Sequence, residues 1–176
     1  MTPFLVGERV YLRALVVQDA DGDYPAWLND QEVCHANSHA IYPYTRDQAR
    51  AYIAAVNADQ QQLVLAICDK ATDQHIGNIA LQNINMVYRS ADFAILIGNK
   101  AYWDKGYGTE AGRLLIDHAF YNLNLERIAC ATFENNEGMI KLAHKLGFRV
   151  EGERRNAAHK DGWLDVVEFG LLREEW

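Results

Sequence analysis

Gly106-Tyr107-Gly108-Thr109-Glu110-Ala111 has the spacing G-x-G-x-x-A, a pattern that brings backbone amides against a phosphate. Gly106 and Gly108 let the chain turn and come close to a ligand. An apolar stripe of Leu114, Leu115, Ala119 and Leu123 marks a helix that starts there, with Thr109 at its entry. The first amides of a helix have no partner within it, and its dipole favours an anion at that end. The stretch therefore reads as a cradle of N–H groups for a pyrophosphate. The alternative is a glycine-rich helix start with no ligand. Two common phosphate binders do not fit. In a dinucleotide-binding unit the first strand runs almost directly into the first glycine, within repeating βαβ units. Here Asn99–Lys105 intervenes and the preceding strands are joined by short links, although Glu134 does end the next strand. The P-loop pattern G-x-x-x-x-G-K-[ST] is absent, and Lys105 precedes the glycines instead of following them.

The elements that must hold this cradle can be read from periodicity. "GERVYLRAL" alternates as a first strand, and "QDADGDYPAWLND" reads as a short helix. "CHANSHAIYPY" is loop. Thr45-Arg46-Asp47-Gln48 has the form of a capping box before the helix "RDQARAYIAAVNAD". "QQLVLAICD", "HIGNIALQNIN" and "SADFAILIG" are strands whose short links make them antiparallel. A helix through about Leu123, the strand "RIACATF", and the helix "NEGMIKLAHKLG" capped by Gly147 follow. "FRVEGERRNAAHKDG" and "WLDVVEFGLL" close the chain as a hairpin turning at Asp161-Gly162. The order β-α-α-β-β-β-α-β-α-β-β predicts an α/β fold with a mixed, mostly antiparallel sheet of about seven strands and about four helices.

The 176 residues suit one domain, taken as 1–176, and no repeat or linker divides it. Apolar residues make up 49% and charged residues 23%, ordinary for a soluble globular protein. A net charge of -7 argues against direct nucleic-acid binding. No apolar run is long enough to span a membrane, and the N-terminus lacks a signal-peptide pattern, so a cytoplasmic location is expected. Cys34, Cys68 and Cys130 lack metal-ligand spacing and read as reduced, buried thiols.

The loop "WDKGYGTEA", the strand "ADFAILI" and "ENNEGMIKLAHKLGF" together resemble the GNAT superfamily of acyl-CoA N-acyltransferases, and the whole chain follows that family's order of elements. The ending from Asn122 to Asp165 is most similar to the subgroup of ribosomal-protein N-terminal, spermidine and amino-sugar N-acetyltransferases. The resemblance implies acetyl-CoA as acyl donor, no metal, and a primary amine as acceptor, attacking the thioester directly. It implies a splay between the central strand (91–98) and the next strand (127–133), which makes a slot for the pantetheine arm. It places the CoA phosphates over Lys105, Gly106, Tyr107, Gly108 and Thr109, and the arm beside Ile95, Leu96 and Ile97, held like an added strand. Asn135 matches the family asparagine that meets the CoA arm, the alternative being a helix N-cap at Asn135 or Asn136. Trp103 stands where the family has Gln or Arg, so a side-chain donor is lost while the backbone cradle survives. A homodimer is a family-level expectation only.

The reaction needs a neutral amine, a donor for the tetrahedral oxyanion, and a proton for the leaving thiolate. The backbone N–H near Ile97 is the expected oxyanion donor. Asp92 stands where the family has a glutamate base, one methylene shorter, so a bridging water is expected. Both usual proton donors are missing: Ala143 occupies the tyrosine position and Gly138 the serine position. Tyr107 and His144 are substitutes. A lysine-like amine of pKa about 10.4 is less than a thousandth neutral near pH 7, whereas an α-amine of pKa about 7.7–8.0 is about a tenth neutral. A weakly equipped site fits an N-terminal or amino-sugar amine better. The acceptor pocket is expected from "CHANSHAIYPYTR", "NINMVYR" and the last hairpin, with Tyr42, Tyr44 and Trp163 as stacking faces and His35, His39 and Arg46 as hydrogen-bonding groups. His35 and His39 lack the third ligand that a metal site needs. The rival reading is a non-catalytic acyl-CoA sensor or interaction module on the same fold.

Overall fold

The structure, a computed structural model, describes residues 2–176. Strands β1 (Leu5–Val6) and β2 (Val10–Ala14) lead through a 3-10 turn, Val17–Asp21, to the short helix α1 (Tyr24–Trp27) and then to α2 (Arg46–Ala58). A meander of β3 (Leu63–Asp69), β4 (His75–Asn85) and β5 (Ser90–Ile97) follows. Helix α3 (Tyr107–Asp117), β6 (Arg127–Phe133), α4 (Glu137–Lys145) and the hairpin β7 (Arg149–His159) and β8 (Trp163–Leu172) complete the chain. The eight strands form one sheet in the order β1-β2-β3-β4-β5-β6-β8-β7. Only β5 and β6 run parallel; every other neighbouring pair is antiparallel.

The expected seven strands become eight because Leu5–Val6 pairs with Leu12 and Tyr11. Two residues carry no alternation to read. The helix expected over 18–30 is broken into the 3-10 turn and the four-residue α1. Pro25 lies in the first turn of α1, the part of a helix that tolerates a missing N–H. Thr45 and Gln48 form the reciprocal capping box, and Gly147 ends α4 at φ +83°. Helix α3 stops at Asp117 and a π-helical turn, His118–Asn122, carries the chain on.

Both faces of the sheet are covered. On β3, Leu65 and Ile67 join a core with Ala111, Leu115, Ala143 and Leu146 of α3 and α4. The alternate residues Val64, Ala66 and Cys68 join a second core with Tyr24, Trp27, Ala49 and Ile53 of α1 and α2. A fully buried Leu115 or Ile53 contributes about 1.5–3 kcal/mol. The three cysteines are free and buried. Burial, and then the charge of Asp92, pushes the Cys130 thiol up to about 12, so it is unreactive at neutral pH. No helix among the described residues is long and apolar enough to cross a membrane.

The splay stands between β5 and β6. They pair only at Ser90↔Arg127, Ala91↔Ile128 and Asp92↔Ala129. Beyond Asp92 they part, while β5 stays paired with β4 as far as Ile97.

Candidate active site

Where β5 and β6 part, a cleft of about 1080 Å³ passes through the sheet. On one face it is lined by Ile95, Ile97, Gly106, Gly108, Thr109, Asn135 and Leu142; on the other by Tyr24, Tyr44, Tyr52, Val64, Asn78 and Ala94. The parted edge of β5 is open. Gly98 N–H bonds to Ile76 O, so in this antiparallel ladder the even-numbered residues exchange bonds with β4. The odd-numbered backbone groups therefore point into the splay, including the N–H and C=O of Ile95 and the N–H of Ile97. The Ile97 carbonyl is already taken: Trp103 Nε1 donates to it at 2.8 Å. Trp103 thus closes the upper end of the slot and pins the following loop to the strand.

That loop enters α3 through Gly106, whose φ of +84° is a left-handed conformation open to glycine. The first backbone bond of the helix is Glu110 N–H to Gly106 O. The amides of Tyr107, Gly108 and Thr109 precede it and have no backbone acceptor among the described residues. The loop is held from below by Arg9, which donates to the Lys105 carbonyl at 2.9 Å and pairs with Glu110 at 3.1 Å. A Cβ placed on Gly108 would lie 3.7 Å from Ile95 Cδ1, 3.7 Å from Ile97 Cγ1 and 3.8 Å from Leu142 Cδ2. Those are ordinary contacts, so the protein's own packing does not require glycine at 108. Gly108 lines the cleft beside the amides that lack a backbone acceptor.

Asn136, not Asn135, caps α4: its Oδ1 accepts from Met139 N–H at 3.1 Å. Its Nδ2 donates to the Ala36 carbonyl at 3.1 Å. Asn135 lines the cleft without that structural duty. Lys160, just past β7, anchors the same 34–39 loop from the other side. Its Nζ donates to the carbonyls of Asn37 and His39, each at 2.8 Å, and to that of Cys34. Burial, and then the Lys160 charge, holds His39 below the usual histidine range, so the imidazole is neutral at neutral pH. Asn29 fixes the neighbouring Tyr44 by accepting from its N–H at 2.7 Å and donating to its carbonyl at 2.8 Å.

A buried polar chain reaches the cleft from behind. Arg13 and Asp19, 3% and 6% exposed, form a bidentate pair at 2.7 and 2.8 Å. Burial pushes the Asp19 carboxyl up, but the hydrogen bonds from Arg13, His75 and the Val16 amide outweigh it and hold it well below the usual range. His75 Nδ1 lies 3.4 Å from Asp19, and its Nε2 lies 2.9 Å from Gly77 O and 2.8 Å from Asn78 Oδ1. Asn78 sits on β4 beside Leu96 and lines the cleft.

The cleft gathers Ile95, Leu96, Ile97, Gly106, Gly108, Thr109, Asn135, His35, His39 and Tyr44 from the residues expected on sequence. It leaves others aside. The side chains of Lys105 and Tyr107 face a separate hollow with Asp69 and Tyr102, and the Tyr107 hydroxyl is directed at Asp69. His144 is exposed and packs edge-on against Phe169. Neither substitute proton donor lines the cleft. Tyr42, 82% exposed, and Trp163, 66% exposed, stand outside it, as does Arg46. Asp92 lies where pairing ends, solvent-exposed and hydrogen-bonded at 2.8 Å to Asn83, outside the lining. Tyr24, Tyr52, Asn78 and Gln82 also line the cleft, and none of them was among the expected residues. Asn78 carried a signal, a polar residue within a strand buried on both faces.

Comparison with known proteins agrees with this geometry. A family model described as an acetyltransferase (GNAT) domain matches residues 9–149. The chain is 33% identical over 177 residues to p20 of Bacillus licheniformis, described as an uncharacterized N-acetyltransferase, covering 98% of this chain and 97% of p20. A crystal structure described as a probable acetyltransferase superposes with a TM-score of 0.89 at 28% identity, covering 99% of each chain. The spermidine N-acetyltransferase of Vibrio cholerae, solved with CoA and spermine, has the same fold at a TM-score of 0.85 and 22% identity, covering 95% of this chain and 97% of that one.

Proposed function

The chain belongs to the GNAT acetyltransferase domain family, and on that premise we propose that it transfers an acetyl group from acetyl-CoA to a primary amine. The observation that carries this reading is the cleft through the splayed sheet, with free helix-start amides on one face and an aromatic pocket on the other. The amides of Gly106 to Thr109 hold the pyrophosphate, and the open edge of β5 at Ile95–Ile97 holds the arm, with Asn135 beside it. The donor supplies the thioester carbon. As the amine nitrogen bonds to that carbon, the Ile97 N–H meets the oxyanion; the C–S bond then breaks. With Ala143 and Gly138 at the usual acid positions, the leaving thiolate takes its proton from water. The proton lost by the amine goes to His39, the neutral imidazole of the lining, or through water to Asp92.

Calorimetric titration with acetyl-CoA, followed by a thiol-release assay over peptide, amino-sugar and polyamine amines, tests the reading. Saturable binding below millimolar concentration with thiol release on at least one amine is expected. No binding sinks the proposal. Binding without release on any amine supports the acyl-CoA sensor instead.

A further inference from the structure

We infer that Asn78 selects the acceptor by donating a hydrogen bond to a carbonyl oxygen next to the attacking amine. The acceptor is then an α-amine bearing a carbonyl and an apolar or aromatic side chain, and not a polyamine. This rests on the acetyltransferase reading above.

The orientation of Asn78 follows from its partners. The Gly77 carbonyl can only accept, so His75 Nε2, 2.9 Å away, carries a proton. The Asn78 atom 2.8 Å from the same nitrogen is therefore its oxygen. His75 is positioned in turn by Asp19, 3.4 Å from its Nδ1, and by an edge-to-face contact with Trp27 at a centroid separation of 5.0 Å. The Asn78 Nδ2 finds no acceptor among the described residues and belongs to a half-buried side chain of the cleft. A donor held this rigidly discriminates well, because a ligand lacking the matching acceptor leaves it desolvated and unpaired.

The surrounding pocket fits the same ligand. Its walls on the α1 and α2 face are Tyr24, Tyr44, Tyr52, Leu28, Val33 and Val64, surfaces for an apolar or aromatic side chain. The acids in the lining of the whole cleft are Asp104 and Glu137. Glu137 is paired with Lys141 at 2.9 Å, and Asp104 belongs to the loop before α3. No carboxylate lines the aromatic half, so a second ammonium would enter without a counter-charge, with Lys160 behind the loop.

The test uses phenylalaninamide and 2-phenylethylamine, which differ by one carboxamide, together with spermidine. Acetyl-CoA affinity is measured separately by calorimetry. Asn78→Leu is expected to lower kcat/KM for phenylalaninamide about tenfold or more while leaving 2-phenylethylamine within about twofold. The amines' own basicities cancel in these ratios of wild type to variant. Asn78→Asp, which puts a carboxylate in the pocket, is expected to raise kcat/KM for spermidine relative to phenylalaninamide, with acetyl-CoA affinity unchanged in both variants. Equal losses on the two aromatic amines, a wild-type preference for spermidine, or donor binding with no acetylation of any of the three overturns this inference and leaves donor use standing. Failure of the wild type to bind acetyl-CoA overturns the acetyltransferase reading itself.

Discussion

Gly106, Gly108 and Gly112 lie within seven consecutive residues, and the structure assigns each a different physical reason. Replacing each with alanine separates them. At 108 the added methyl meets Ile95, Ile97 and Leu142 at 3.7–3.8 Å, so nothing has to move. Removing a flexible glycine at a compatible position raises stability by about 0.4–1 kcal/mol. For a chain of this size 1 kcal/mol shifts Tm by about 2–4 °C, so the ligand-free Gly108→Ala variant should melt slightly higher than wild type. Gly108 also lines the cleft, so on the proposed function the methyl competes for space with the pyrophosphate beside it. Losing one charge-assisted hydrogen bond there costs about 1.5–3 kcal/mol. Acetyl-CoA affinity should then fall about tenfold to more than a hundredfold. At 106 the backbone has φ +84°, and alanine there is strained by about 1–3 kcal/mol. At 112 a Cβ would stand 2.6 Å from Leu146 Cδ1 inside the core, which costs about 1–3 kcal/mol of overpacking. Thermal melts without ligand and calorimetry with acetyl-CoA read the two quantities independently. If Gly108→Ala melts lower and binds acetyl-CoA within twofold of wild type, Gly108 is a packing residue and the cradle is misassigned.

Three further outcomes are expected. Asp19→Asn leaves Arg13 buried without its counter-charge and should cost about 3–5 kcal/mol in urea unfolding. In the wild type the Asp19 carboxyl is held below its unfolded value, so its contribution is complete above the ordinary carboxyl range and is lost as pH falls through and below it; the variant should show a flatter acid limb. Lys160→Met removes the bonds to the Cys34, Asn37 and His39 carbonyls, and should raise the acceptor KM severalfold while leaving acetyl-CoA affinity within twofold, with faster amide exchange over residues 34–39. His39→Gln should lower kcat by about 10²–10⁴-fold if His39 takes the amine proton, whereas Asp92→Ala should produce that loss if the water-bridged route dominates; neither should alter acetyl-CoA binding. Because burial and Lys160 hold His39 below the ordinary histidine range, the deprotonated, working form persists through neutral pH, and kcat/KM, once corrected for the neutral fraction of the amine, should fall only on the acid side of that range.

The donor half of the cleft was legible because its signals are local. A left-handed glycine, a helix start and an alternating strand are written in consecutive residues, and the contacts proposed for the donor are made by backbone groups whatever the side chains are. Trp103 illustrates the limit of that reading. Its departure from Gln or Arg was visible, but its bond to the Ile97 carbonyl comes from how the loop folds back on β5. The acceptor half is assembled from α1, α2, β4, β5 and the 34–39 loop, elements far apart in sequence. Residue type gave little guidance there. Tyr42 and Trp163 are aromatic and lie in the right segments, yet they face solvent, while Tyr24 and Tyr52 point inward from helices. Lys160 looked like a charge beside a turn, and the carbonyls it gathers belong to a loop more than a hundred residues earlier.

Strand β5 explains why both halves depend on one register. Its even-numbered side chains, Ala94 and Leu96, wall the acceptor pocket, while its odd-numbered side chains, Ile95 and Ile97, lie against Gly108 on the donor face. Its odd-numbered backbone groups face the splay, because the even-numbered groups are committed to β4. A shift of one residue in the β4–β5 pairing would exchange all of these roles together. It would turn the Ile97 N–H toward β4 and bring Asn78 opposite a residue of the other face. The link at Met86–Arg89 and the irregular register between Gln82 and Asn85 lie at the end of that pairing and fix its register. They set which strand atoms face the splay, and on the proposed function the splay is where a thioester on one face of the sheet meets an amine on the other.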